Sequence, residues 1–141
     1  MKTIVITASL LLLATAACPI GAQQDMTIDD KDINVLLFEE MEYPSVALQT
    51  RIQGVVVVRA ALDEKGSVIS AAAISGAKAL VPSCLSNVKK WHFQPNAAKT
   101  VVVVYEFHFA SGTCIAGVKG QFIFLPPNVA TVRSCQRIAT P

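Results

Sequence analysis

Two apolar runs on either side of one short polar turn constrain this chain more than any other feature. The first, Gly54 to Leu62, is rich in valine, and Arg59 is its only charge. β-Branched side chains suit a pleated surface, so such a run argues for a strand. Asp63-Glu64-Lys65-Gly66 follows, and Gly66 supplies the positive φ that tight hairpin connections need. Val68 to Ile74 then returns as a second strand. The pair predicts an antiparallel hairpin.

The flanking segments extend this unit in a regular order. Pro44 follows Tyr43, and proline is favoured in a first helical turn. Val46, Ala47 and Leu48 suit one or two helical turns, with Gly54 beyond their end. Ala79 to Val88 places Leu80, Val81, Leu85 and Val88 at helical spacing, and Pro82 fits its first turn. Trp91 and Phe93 alternate around His92, so the chain leaves this helix extended and turns at Pro95-Asn96. Thr100 to Phe109 is a third strand. Val101, Val103, Tyr105, Phe107 and Phe109 form one face; Val102, Val104, Glu106 and His108 form the other. The order is helix, strand, turn, strand, helix, strand. It predicts an α+β fold: a three-stranded antiparallel sheet with two helices on one face. Such a sheet has an open edge, and an open edge can take another chain's strand. The expected partner-binding edge is the third strand, at Val101, Val102, Val103, Val104, Tyr105, Glu106 and Phe107.

Bulk properties exclude several classes of function. Charged residues make up 16% of the 141 residues and the net charge is +2, too weak a bias for nucleic acid. The hydrophobic fraction of 52% excludes disorder for most of the chain. No nucleophile, base and orienting group can be named together, so an enzyme is not expected. Asp63 and Glu64 lie adjacent in a turn and do not converge on a substrate. No Cys-x-x-Cys occurs, and His92 and His108 have no ligand spacing to the cysteines, so no metal, cofactor or small-molecule substrate is expected.

The ends differ from the middle. Lys2, the apolar stretch Ile4 to Ala17 and the small-residue pattern Ile20-Gly-Ala22 read as a cleavable secretion signal over residues 1–22. Ala14-Thr-Ala16 is a second cleavage pattern. Two alternatives stay open: acylation of Cys18 as a lipoprotein, and an uncleaved inner-membrane anchor, for which the stretch is short against the roughly 20 residues of a span. Residues 23–42 form a lead-in, polar at first. Ile33 to Met41 reads equally as a short helix or an edge strand. The domain is expected over residues 43–109, with a C-terminal extension over 110–141. In the extension, Gln121 to Leu125 and Val129 to Arg133 flank the stiff turn Pro126-Pro127-Asn128 and predict a short hairpin packed on the domain edge. Export favours disulfides. Cys114 and Cys135 flank the extension's strands and are paired in this reading. Cys84, within a helical pattern, reads as a buried thiol.

The ordered set Tyr43-Pro44, Arg51 to Val57 with Gly54, Leu62 to Val68 with Gly66, and Asn87 to Pro95 with Trp91, Phe93 and Pro95 resembles the C-terminal domain of TonB-type energy transducers. The resemblance covers about residues 43–109. It implies a periplasmic domain that pairs its last strand's edge with an extended segment of an outer-membrane transporter. The chain departs from a full transducer: Gln23 to Glu42 contains no proline, where the family has a long Pro-rich spacer. The leading expectation is therefore a periplasmic module that binds an outer-membrane transporter or another envelope protein by strand addition. A short transducer with an uncleaved anchor, and an edge-to-edge homodimer, are the alternatives. Trp91, Phe93 and Tyr43 read first as core anchors. His92, His108, Lys89 and Lys90 read as surface residues.

Overall fold

The computed structural model describes residues 33–110 and 120–135. The expected hairpin forms as β2 (Gly54–Leu62) and β3 (Val68–Ser75), paired antiparallel. Asp63 shapes its turn. Its Oδ1 accepts the N–H groups of Lys65 and Ser67 at 2.8 and 2.9 Å. Those donors, Ser67 first, hold the Asp63 carboxyl below the usual range. α1 (Ser45–Gln49) begins after Pro44, and Gly54 opens β2. α2 (Val81–Val88) carries proline in its first turn. The extended exit after α2 forms a short strand, β4 (His92–Phe93), and β5 (Thr100–Phe109) follows as predicted.

The lead-in and the extension add to the sequence-based expectation. The lead-in supplies β1 (Val35–Leu37), which pairs antiparallel with β4. Ile33 is buried, so packing begins ahead of Tyr43. The extension forms β6 (Gly120–Leu125) and β7 (Val129–Ser134), an antiparallel hairpin around Pro126 to Asn128. That hairpin joins the sheet itself instead of resting against the domain. The main sheet therefore has five strands in the order β3-β2-β5-β7-β6, not three. β7 runs parallel to β5, while the other neighbours are antiparallel.

One core unites these elements. Val56, Val58, Ala60 and Leu62 of β2 share it with Val101, Val103, Tyr105 and Phe107 of β5, the face predicted by alternation. Ala47 of α1, Cys84 and Val88 of α2, and Ala130 and Val132 of β7 complete it. Trp91, Phe93, Tyr105 and Phe107 are fully buried, and each such side chain contributes about 1.5–3 kcal/mol relative to exposure. Burial pushes the Cys84 thiol up to about 12. Among the described residues, no helix is long and apolar enough to cross a membrane.

Candidate partner-binding edges

The motif residues quoted above serve the fold. Gly66 has φ +88, and a Cβ there would overlap the backbone carbonyl of Phe93. The Phe93 N–H donates to the Gly66 carbonyl at 2.9 Å. The hairpin turn and the Trp-x-Phe segment are thus locked backbone to backbone, which leaves no room for a side chain at position 66. Pro95 lies beside the same contact. Tyr43 is buried, stacks on Phe109 at 5.3 Å and donates its hydroxyl to the Ile52 carbonyl at 2.6 Å. It anchors the start of α1 to the end of β5.

Asn87 was given no role by sequence reasoning, although it lies in the quoted Asn87 to Pro95 stretch. It is 5% exposed. Its Oδ1 accepts from Trp91 Nε1 and from the Tyr105 hydroxyl, both at 2.9 Å, and its Nδ2 donates to the Glu39 carbonyl at 2.8 Å. One carboxamide thereby satisfies the two polar tips of the aromatic core and ties the lead-in to α2. The signal was a polar residue on the apolar side of a helix, beside a buried tryptophan that needs an acceptor. Lys90, expected as a solvated helix end, pairs with Glu39 at 2.6 Å and remains half exposed. His92 is half-buried with Nδ1 3.4 Å from Ser67 Oγ, while His108 is exposed 3.8 Å from Glu106.

The expected open edge at Val101, Val102, Val103, Val104, Tyr105, Glu106 and Phe107 is corrected by the topology. β5 is a central strand. β2 pairs with it from Thr100 to Phe107, and β7 pairs on its other side from Val104 to Phe109. Ahead of β7, Asn128 Nδ2 donates to the Val102 carbonyl at 3.1 Å, and the Asn128 carbonyl accepts the Val104 N–H at 2.9 Å. Asn96 Nδ2 donates to the Thr100 carbonyl at 2.9 Å. The chain's own tail occupies the place where a partner strand was expected.

Among the described residues the outer strands of the sheet are instead β3 and β6. β6 borders a cleft of about 500 Å³. Met41, Tyr43, Leu48, Phe122 and Val132 give it an apolar lining, with Glu40, Glu42 and Arg133 also on its walls. Phe122 and Phe124 reach under Phe38, with ring centroids 5.8 and 5.0 Å away, and meet the edge of Trp91. A strand laid on β6 would find backbone groups along its length and a side-chain recess at the Gly120 end. Main-chain pairing supplies affinity and the recess supplies selectivity in such a geometry. Among the described residues no group of acidic, histidine and cysteine side chains is arranged to hold a metal ion. Cys84 is unbonded and Cys135 is disulfide-bonded, while Cys114 lies outside the described residues.

Residues 39–110 match the model of one protein family, described as Gram-negative bacterial TonB protein C-terminal. No curated protein matches the chain. No solved structure matches it either. The matched span contains α1, β2, β3, α2, β4 and β5, and it ends before the β6–β7 hairpin.

Proposed function

The chain belongs to the family of the TonB protein C-terminal domain, and on that premise we propose that it is a periplasmic protein-binding module that takes an extended segment of an envelope protein by strand addition. The observation that carries the reading is the position of β6: an outer strand beside an apolar-lined cleft. An outer-membrane transporter is the partner class that the family favours. Binding at Val101 to Phe107 would require β7 to leave β5, so β6 is the edge assigned here. Pairing of Cys135 with Cys114 belongs to the same proposal, since it would tie the end of β7 to the segment between β5 and β6. The role is recognition, without chemistry.

The test is a titration of the purified protein with extended peptides from the periplasmic ends of outer-membrane transporters. Each peptide is compared with a version N-methylated at alternate amides. Strand addition depends on backbone donors, so methylation on the pairing side weakens binding about tenfold or more. Methylation on the other register leaves it unchanged. Equal affinity for both methylated forms contradicts strand addition.

A further inference from the structure

We propose that the cleft beside β6 selects, within an extended partner segment, a large apolar side chain with a lysine or arginine two residues away from it. This selectivity rests on strand addition at β6 and defines the side chains that such a strand carries. The recess lies where the aromatic row of β6 stops. Phe122 and Phe124 share one face of β6, the face that Phe38 covers. The next position on that face is Gly120, where a Cβ would stand 2.7 Å from the Arg133 carbonyl oxygen. β6 thus supplies no side chain beyond Phe122, and the cleft of about 500 Å³ opens there. Met41, Tyr43, Leu48, Phe122 and Val132 line it. A phenylalanine or leucine presented on the same face of an added strand extends the aromatic row by one place.

The rim supplies the charge. Residues 39–43 are pinned at both ends. The Glu39 carbonyl accepts from Asn87 Nδ2 at 2.8 Å, and its carboxylate pairs with Lys90. At the other end the Tyr43 hydroxyl donates to the Ile52 carbonyl. Between them Met41 packs against the core, and Glu40 and Glu42 stand exposed on either side of it. Both border the cleft. Among the described residues the ion pairs involve Glu39, Glu64 and Glu106, so no cation offsets Glu40 or Glu42. Arg133 also borders the cleft, but it alternates with the buried Val132 and pairs with Gln121, so its side chain leaves on the other face of the sheet. The cleft therefore has an apolar floor beneath two carboxylates. Alternate residues of a strand share a face about 7 Å apart, so the residue two places from the apolar anchor is the one that meets this rim. A rim fixed before binding incurs little ordering cost, and rim charges act on partner choice more than on affinity. The whole chain carries +2, so its overall charge does not favour a basic segment and a lysine preference reports the rim.

Fluorescence anisotropy of the purified protein with labelled synthetic peptides tests this. One uncharged, threonine-rich host strand carries Phe-Thr-Lys or Lys-Thr-Phe, and the order that binds more tightly is then varied. Replacing its Phe by Ala is expected to weaken binding about tenfold. Replacing its Lys by Glu is expected to weaken binding about fivefold, and less in added salt. The double change Glu40→Lys with Glu42→Lys is expected to reverse the preference for Lys over Glu, with circular dichroism verifying the fold. Glu64→Lys, at the hairpin turn, is expected to leave the preference unchanged. Equal affinity for the Lys and Glu peptides, or for the Phe and Ala peptides, overturns the proposal. So does a preference indifferent to the double change, or an absence of binding by the whole set. N-methylation of the tightest peptide at alternate amides keeps this proposal apart from strand addition. Dependence on the methylated register with no Lys preference leaves strand addition standing and overturns the rim assignment. A rim-dependent Lys preference with no dependence on register does the opposite.

Discussion

The family-matched region and the β6–β7 hairpin share one sheet but are held in it by different means. The matched region is locked by specific contacts that admit one residue type: Gly66 against the Phe93 carbonyl, and Asn87 between Trp91 and Tyr105. The hairpin is attached through its backbone ladder to β5 and through the small core residues Ala130 and Val132, with Phe122 and Phe124 packed on Phe38 and Trp91. Backbone pairing by itself makes few sequence demands, so a ladder can be extended at an edge by many sequences. The proposed docking of a partner strand on β6 relies on the same property.

The comparison can be broken most severely at Gly66. Gly66→Ala combines a disfavoured φ with backbone overlap and is expected to cost about 3 kcal/mol or more, measured by denaturant unfolding. Asn87→Ala strands two buried donors and a carbonyl, for an expected loss of about 2–3 kcal/mol. Both changes should lower global stability. Phe122→Ala should cost about 1–2 kcal/mol and act locally, because the ring is only half-buried. Its signature is faster hydrogen exchange in β7 and along Val104 to Phe109, with β2 and β3 unchanged. A uniform loss of protection would show that hairpin and domain are one cooperative unit.

Two smaller effects sharpen the picture of the matched region. The depressed Asp63 carboxyl contributes stability that is fully present above its ordinary value and lost as pH falls through the lowered folded value. Acid titration of Asp63→Asn should therefore lack part of the wild-type slope at the low end. Cys84, buried and raised to about 12, should resist alkylation at neutral pH until the protein unfolds.

The legible part of the fold was the part governed by local rules. Valine runs, the Gly66 turn and the Trp91-His92-Phe93 alternation each announce themselves within a few residues. β1 was ambiguous because Val35 to Phe38 is a continuous apolar run with no period. Gln121 to Leu125 and Val129 to Arg133 were readable as strands, but their docking on β5 was not. A parallel partner arrives by a long connection that leaves no periodic trace, and backbone ladders carry no residue code. The open edge was misplaced for that reason alone: Val101, Val103, Tyr105 and Phe107 face the core as alternation requires, while the neighbour along their backbone comes from a distant segment. Asn87 was hidden by its polarity, since its role depends on Tyr105, 18 residues away.

The most direct test of the account is a two-dimensional NMR titration of the isotope-labelled protein with the transporter-derived peptides. The account predicts shifts along Gly120 to Leu125 and at the cleft residues Met41 and Leu48, with Val101 to Phe107 unmoved. Shifts concentrated on Val101 to Phe107, accompanied by loss of protection in β7, would contradict it and show that the tail yields its place to the partner.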